Sequence, residues 1–179
     1  MQKTFLVALT VLFTNWTFGQ GIDQLKLTPL GVEAIVVELD SSKASDIYKK
    51  SLVWLQETYK NPDEVLKANI ENEKIRINGF ANNAWSFKAL GMEQFMDMEY
   101  SVEISFKDGK YRFDYTIGQF YTNAGTKALY TYSSFYKKNG EVRKMYQDAV
   151  PTLELTMNSL SQSFYNYASG ITTEKDDDW

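Results

Sequence analysis

The chain has 179 residues and a formal net charge of −4 at pH 7, and it contains no cysteine and no histidine. The acidic balance argues against a nucleic-acid partner, because proteins that bind nucleic acid carry a basic excess. Without cysteine and histidine, the usual zinc sites are excluded, as are the Ser–His–Asp and Cys–His nucleophile systems. We therefore predict no metal site, no cofactor and no catalytic residue.

The first nineteen residues have the pattern of a secretory signal peptide. A positive start at Met1-Gln2-Lys3 precedes an apolar run over residues 4–14, and small residues at Thr17 and Gly19 precede Gln20. The run is shorter than the about 20 apolar residues that a membrane-spanning helix needs, and no later run is long and apolar enough. We therefore predict cleavage near Gly19-Gln20 and a soluble product, periplasmic or secreted, with no membrane span.

The next part of the chain predicts a strand followed by helices. The β-branched run 34–39 favours a strand. A stripe of apolar residues at helical spacing, from Ala44 to Tyr59, predicts an amphipathic helix. The pair Asn61-Pro62 then marks a second helix start, since Asn can cap a helix and Pro suits its first position, with room for only a turn or two.

Two hairpins follow. A two-residue turn at Asn72-Glu73 would join strands 66–70 and 75–77 and place Ile70 opposite Ile75. The second hairpin joins Met98–Phe106 to Tyr111–Ile117 about Asp108-Gly109, a strong two-residue turn signal. Its alternating residues then meet in apolar pairs on one face, and a slip of one residue would separate them all, so the register is well specified.

The last elements complete a strand–helix–strands–helix order. A further strand is predicted over 127–135, and the apolar stripe over 153–167 predicts a long helix that ends near Gly170. We therefore predict an α+β fold in which two main helices cover one face of an antiparallel sheet. Residues 20–170 would form this single domain, and residues 171–179 would form a disordered acidic tail.

Three segments resemble a bacterial family of unknown function. They are Ile35 to Tyr59; the Asn61-Pro62 turn running into residues 75–79; and Met98 through Phe113, with the Lys-Asp-Gly-Lys-Tyr-Arg hairpin and the helix end over 54–60 as the most diagnostic parts. The family is the exported domain of unknown function 4468, and the resemblance covers roughly residues 31–118. It implies a TATA-binding-protein-like, helix-grip-like sheet in a Gram-negative envelope protein. It implies no catalytic residue, and the fold name does not imply DNA binding.

Six side chains are candidates for a ligand or partner surface: Trp54, Trp85, Met92, Phe95, Met96 and Tyr115. The methionine-rich stretch makes a soft patch that suits varied partners, and the aromatic residues could line a pocket between sheet and helices. The alternatives are a loop tucked over the core edge and ordinary core packing. Both interpretations remain open at this point.

One pair of carboxylates faces across the second hairpin. The register places Glu103 directly opposite Asp114 on the polar face, where like charges cost free energy unless they are compensated. Arg112 lies diagonal to Glu103 and could supply that compensation. The pair is then a solvated charge cluster, and the alternatives are a cation site or an acid–base pair.

These observations predict an exported binding or interaction module without catalysis. Its partner would be an unidentified envelope protein or a small apolar ligand. An alternative is a structural envelope component that acts through protein–protein contacts, for which the methionine-rich stretch and the acidic tail argue. A third hypothesis is a carboxylate-based hydrolase that uses Glu103 and Asp114.

Overall fold

The computed structural model describes residues 22–171, so the predicted signal peptide and the acidic segment 172–179 lie outside the described residues. Seven strands and three α-helices are present in this part of the chain, in the following order: β1 (Leu27–Thr28), β2 (Gly31–Val32), β3 (Ile35–Glu38), α1 (Ala44–Thr58), α2 (Pro62–Val65), β4 (Leu66–Ile70), β5 (Lys74–Ala89), β6 (Met92–Lys107), β7 (Lys110–Thr122) and α3 (Ala149–Ser169). Two 3-10 helices, Tyr132–Phe135 and Lys144–Tyr146, lie between β7 and α3.

Five strands form one antiparallel sheet in the order β3-β7-β6-β5-β4, and β1 and β2 form a small separate ladder. Helices α1 and α3 pack together on one face of the large sheet. This arrangement confirms the predicted α+β class. The other face of the sheet, called the open face below, is not covered by α1 or α3; within residues 22–171 the short α2 lies at its edge, where Glu64 lines a depression with Phe80 and Ser101.

The core lies between the two helices and the sheet. Phe164 of α3 sits at its centre, with ring centroids 5.2 Å from Trp54 of α1 and 4.8 Å from Tyr111 of β7. Phe113, the next core-facing residue of β7, is fully buried. The stripe predicted for the last helix is therefore the face that α3 buries, and the helix ends at Gly170, which has a left-handed conformation.

The hairpin of β6 and β7 has the predicted register, with Phe106 opposite Tyr111 and Ile104 opposite Phe113. A side chain in the turn of this hairpin also caps the first turn of α1. The backbone N–H of Ala44 donates to the Asp108 carboxylate at 2.9 Å, while the residue preceding α1, Lys43, offers no side-chain cap. The first turn of α1 is therefore capped by a residue that lies far away in the sequence.

The predicted turn between β4 and β5 is wrong by one residue. Ile70 pairs with Lys74 and Asn69 pairs with Ile75, so the turn has three residues and Asn72 takes a left-handed φ of 60°. A two-residue turn of the favoured type would need a positive φ at both central residues, whereas this turn needs it only at an Asn, which tolerates it. Ile70 consequently lies on the open face beside Lys74.

Two further predictions are corrected. Residues 127–135 form no strand: a single bridge joins Lys127 to Tyr121, and the chain then turns into a 3-10 helix. Conversely, the stretch expected to be a methionine-rich loop is strand, because β5 and β6 run on to a turn at Leu90-Gly91. In both places side-chain packing against aromatic residues, described below, overrides the local pattern.

Candidate functional site

The six candidate side chains do not form one surface. Two of them, Met92 and Phe95, are exposed. The other four are buried: Trp54, Trp85, Met96 and Tyr115. The two exposed residues lie on opposite faces of β6, because their positions differ by an odd number along the strand. The structure therefore divides the candidates among three places.

Trp85 and Met96 belong to an aromatic cluster at one end of the sheet. The rings around Trp85 lie with centroids 4.8–6.5 Å from it, and they belong to Phe87, Phe120, Tyr130, Phe135 and Tyr146. The Tyr130 hydroxyl approaches the Met96 sulfur at 3.7 Å. Three of these rings come from the segment between β7 and α3, so the cluster fixes that segment against the sheet. Its role is core packing.

Tyr115 lines a cleft between the sheet and α3. Its ring stacks on Tyr100 with centroids 5.3 Å apart, and the Tyr100 hydroxyl lies 2.9 Å from the Tyr59 hydroxyl. The cleft has a volume of about 290 Å³ and is lined by Ala81, Tyr100, Tyr115, Thr156, Ser159, Leu160 and Ser163. We call it the tyrosine cleft. A shallow depression that opens to solvent thus lies between the sheet and α3.

Small side chains keep this cleft open. Ala81 on β5 and Ser159 and Ser163 on α3 face the two stacked rings. Trp54 supports the helix side, since its indole N–H donates to the Ser163 hydroxyl at 3.1 Å. The serines, Tyr59 and Tyr100 were not among the predicted site residues, because the candidates were chosen among the tryptophans, the methionine-rich stretch and the aromatic stripe of β7. Their signal was the placement of small residues on α3 opposite tyrosines of the sheet, with Ser163 half-buried and Ser159 exposed.

The cleft also opens onto a larger depression. Ser159 and Ser163 line a groove of about 670 Å³ along the outer side of α3, with Ile22 at one end and Ile171 among its walls. A ligand in the tyrosine cleft would therefore have a path to solvent along the helix.

The phenols of the cleft are protonated at physiological pH. Burial raises the pKa of the Tyr59 phenol far above its ordinary value, with a further contribution from Tyr100. Burial also raises the pKa of Tyr100, although its hydrogen bond with Tyr59 opposes this, and it places the pKa of Tyr115 well above the ordinary value. The three groups therefore act as neutral hydrogen-bonding groups and not as bases.

We expect the free energy of unfolding to fall above about pH 10 and to be insensitive to these phenols below it. The unfolded chain releases their protons near pH 10, whereas the folded chain retains them, so each phenol removes up to about 1.4 kcal/mol per pH unit. Urea unfolding between pH 8 and pH 11 would measure this, with Tyr59→Phe as comparison. Equal pH dependence in the parent and in Tyr59→Phe would contradict the assignment.

Gly79 is required by the packing of Tyr100. The two residues are opposite each other in the register, and a Cβ atom at position 79 would overlap the Tyr100 ring. We expect Gly79→Ala to lower the free energy of unfolding by about 1–3 kcal/mol, because the ring is held by Tyr59 and Tyr115 and has no free direction to move.

A double-mutant cycle checks the cause of that loss. In a Tyr100→Ala background the overlap is removed, so Gly79→Ala should cost little. If the substitution costs the same in both backgrounds, the loss does not come from the ring and the packing argument fails.

The carboxylates Glu103 and Asp114 lie opposite each other on the open face, as the register predicts. Arg112 does not compensate Glu103 directly: its guanidinium makes a bidentate pair with Asp114, at 2.7 Å and 2.9 Å. Glu103 pairs instead with Lys74 at 3.2 Å. Each carboxylate thus has its own cation, and the arrangement is that of a charge cluster on a solvated face.

We expect Glu103→Gln to change the free energy of unfolding by less than about 0.5 kcal/mol. The substitution loses a partly exposed ion pair with Lys74, but it relieves the repulsion from Asp114. Lys74→Gln is the matched comparison, because it loses the ion pair without that relief and should be the more destabilising of the two. Urea unfolding of both variants would test this order, and the reverse order would contradict it.

Over residues 22–171, no group of three acidic side chains comes close enough to hold a metal ion. Within the same range, no helix is at once long enough and apolar enough to cross a membrane.

The observed architecture is a five-stranded antiparallel sheet with two helices on one face and a small cleft beneath the second helix. Residues 34–121 match the family described as "Domain of unknown function (DUF4468) with TBP-like fold". The match confirms the resemblance that the sequence indicated.

Two solved structures are similar to the chain. One is a DUF4468 family protein from Bacteroides ovatus, with a TM-score of 0.53 and 13% identity over 83% of this chain and 90% of that one. The other is a TBP-like protein from Parabacteroides distasonis, with a TM-score of 0.52 and 13% identity over 76% of this chain and 90% of that one. At this identity the likeness shows the fold alone. No curated protein matches the chain.

Proposed function

We propose that this protein is a non-enzymatic binding module whose tyrosine cleft takes a small ligand with an apolar ring and a hydrogen-bonding substituent. The cleft itself is the observation that carries the proposal. An apolar cavity of about 150 Å³ holds a benzene molecule. The tyrosine cleft, with a volume of about 290 Å³, is open to solvent, so it would cover one side of a substituted ring and leave the other side accessible.

The lining matches such a ligand in two ways. The stacked pair Tyr100–Tyr115 and the side chains of Ala81 and Leu160 offer apolar surface. The hydroxyl groups of Thr156 and Ser159 on α3 already donate to backbone carbonyls, so they offer acceptor lone pairs to a ligand. This combination of apolar walls with few polar groups is typical of small-molecule sites.

Catalysis has little support from the side chains that remain available for it. The phenols stay protonated, and the opposed carboxylates lie in ion pairs on a solvated face without an enclosing pocket. We further propose, from the pattern of residues 1–19, that the protein is exported to the periplasm or beyond after cleavage near Gly19-Gln20, and that nucleic acid is not its partner.

The test is a thermal-shift and NMR screen with ring compounds that carry one polar group, such as indole, 1-naphthol and methyl 4-hydroxybenzoate. Binding should perturb the amides of Ser159 and Ser163. Ser159→Leu fills the cleft and should abolish the effect, whereas Gln56→Leu adds the same side chain to an exposed position of α1 outside the cleft and its groove and should not. If no compound binds, or if Ser159→Leu binds as the parent does, the proposal fails.

A second candidate is a structural envelope component, and one observation favours it. The end of the β5–β6 hairpin exposes Leu90, 98% accessible, beside Met92, 61% accessible. Leu90 also has a φ of 51° in a turn that normally takes Asn-Gly. A bulky residue in this conformation costs about 1–2 kcal/mol, which suggests that the exposed side chain serves a contact.

Site-specific photo-crosslinking in the native envelope would test this second candidate. A crosslinking residue at position 90 should give one defined protein adduct, whereas one at Leu129, which is equally exposed, should give none. Recovery of the protein only as a free monomer would count against a structural role.

A further inference from the structure

The open face of the sheet carries a regular array of hydrogen-bonding side chains. Three rows run across β7, β6 and β5, and the register places the members of each row side by side: Thr116, Ser101 and Asn78; Asp114, Glu103 and Arg76; Arg112, Ser105 and Lys74. Three cationic and two acidic side chains leave a single net positive charge. The remaining members are three hydroxyls and one amide. We call these nine residues the polar array.

The array lies in a continuous trough. One depression of about 600 Å³ is lined by the members of the two charged rows other than Lys74, and a second of about 500 Å³ lies farther along the strands. Both are lined by Ser101 and Thr116, so they join at the first row. From Ser105 to Glu99 the trough follows β6 for about 20 Å, at about 3.3 Å per residue.

Aromatic side chains stand at the far end of the trough. Phe80, which lines the second depression, is half exposed, and its ring centroid lies 5.8 Å from that of Tyr121. The Tyr121 hydroxyl donates to the Glu99 carboxylate at 2.8 Å, which fixes the ring beside the trough. The exposed ring of Phe80, with the Tyr121–Glu99 hydrogen bond beside it, therefore lies next to the polar array.

The charges that line the trough distinguish among three kinds of ligand: a polyanion, a protein and an uncharged chain. A polyanion would meet the carboxylates of Asp114, Glu103 and Glu99 along the whole trough. A protein partner would need an apolar centre, since charged residues are depleted at the core of protein interfaces, and here the centre is charged. An uncharged chain that both donates and accepts hydrogen bonds suits the mixture of carboxylates, guanidinium groups, hydroxyls and amide.

We infer that the open face is a binding site for a neutral oligosaccharide, whose hydroxyls bond to the polar array and one of whose rings stacks on Phe80. Sugar rings combine apolar faces with many hydroxyls, so one ligand meets both parts of the trough. Concave strand faces bind oligosaccharides in other β architectures. The trough is approached from the open face and the tyrosine cleft from the side of α3, although Tyr100 lines both the second depression and the cleft.

Affinity electrophoresis in native gels tests the inference with dextran, galactomannan, arabinoxylan and hydroxyethyl cellulose, and with heparin as the polyanion. At least one neutral polysaccharide should retard the parent, with little dependence on salt. Phe80→Ala should weaken the retardation about tenfold, the loss of one stacked ring, and Arg76→Ala should weaken it as well. Gln162→Ala, on the exposed side of α3, is the matched control and should leave it unchanged.

Three results would overturn the inference: no retardation by any of the neutral polymers, retardation by heparin alone that vanishes as salt is raised, or equal retardation of Phe80→Ala and the parent. Ser159→Leu separates this site from the proposed function, because it fills the tyrosine cleft and should leave the retardation intact. Retardation lost in Ser159→Leu but kept in Phe80→Ala would place the sugar on the helix side and contradict the assignment.

Discussion

A chain that ends at Tyr121, where the family match ends, is expected to lack a cooperative unfolding transition. The core continues beyond that residue, because six large buried side chains come from the later segment: Phe135, Tyr136, Tyr146, Leu153, Met157 and Phe164. Each such side chain contributes about 1.5–3 kcal/mol when it is buried, and a domain of this size is stable by only about 5–15 kcal/mol. Their removal would also uncover Trp54 and Trp85.

Urea unfolding followed by far-UV circular dichroism would compare residues 22–121 with residues 22–171. The longer chain should show a sigmoidal transition and the shorter one a gradual change. A cooperative transition in residues 22–121 would mean that the family segment folds alone and that α3 is an addition to a complete domain.

Phe113→Ala should lower the free energy of unfolding by about 3–5 kcal/mol. Phe113 is fully buried on the helix side of β7, where its ring lies 6.1 Å from Phe164, and truncation leaves a cavity that the helices cannot fill. The matched control is Phe95→Ala on the open face, where nearly half of the side chain is already exposed. That variant should lose about 1 kcal/mol or less.

Denaturant midpoints of the two variants give the result directly. If Phe113→Ala unfolded at the same urea concentration as the parent while Phe95→Ala did not, the two faces of the sheet would be reversed. The residues assigned to the tyrosine cleft and to the open face would then lie on the opposite faces, so the proposed ligand site and the proposed oligosaccharide site would both be wrong.

The β6–β7 hairpin could be predicted from sequence because two independent signals agree there. Asp108-Gly109 matches a two-residue turn, and Gly109 indeed has a positive φ. The alternation of apolar and polar residues in both strands fixes the pairing, since a shift of the register by one residue would move every apolar side chain of one strand to the solvent-exposed face. The two main helices were equally clear, because each buries one stripe against the sheet.

The β4–β5 turn and the segment after β7 could not be predicted in the same way. The alternation of the residues that flank Asn72 allows either a two-residue or a three-residue turn. Which turn forms depends on which residues tolerate a positive φ, and in the structure this residue is Asn72. In the later segment, Tyr130 and Phe135 pack on Trp85 from an irregular backbone. Such packing is a tertiary effect that no local period reveals.

The candidate site was only partly predictable for a related reason. Tyr115 was named from the aromatic stripe, but its partners Tyr59 and Tyr100 come from other elements and meet it only in the folded chain. Trp85 was named for its size, and size is what places it in the core. A cleft depends on where small residues fall opposite large ones, and Ser159 and Ser163 carry no chemical signal by themselves.

The capping of α1 by Asp108 has a consequence for the order of folding. The cap joins positions 64 residues apart, so the first turn of the helix gains its hydrogen bond only after the hairpin has closed. Early in folding, α1 can fray from its start while its later turns collapse on the strands. Substitution of Asp108 by Ala should therefore leave the folding rate nearly unchanged if the cap forms late, and should speed unfolding instead. The hairpin turn then stabilises the first turn of a helix whose later turns have already formed.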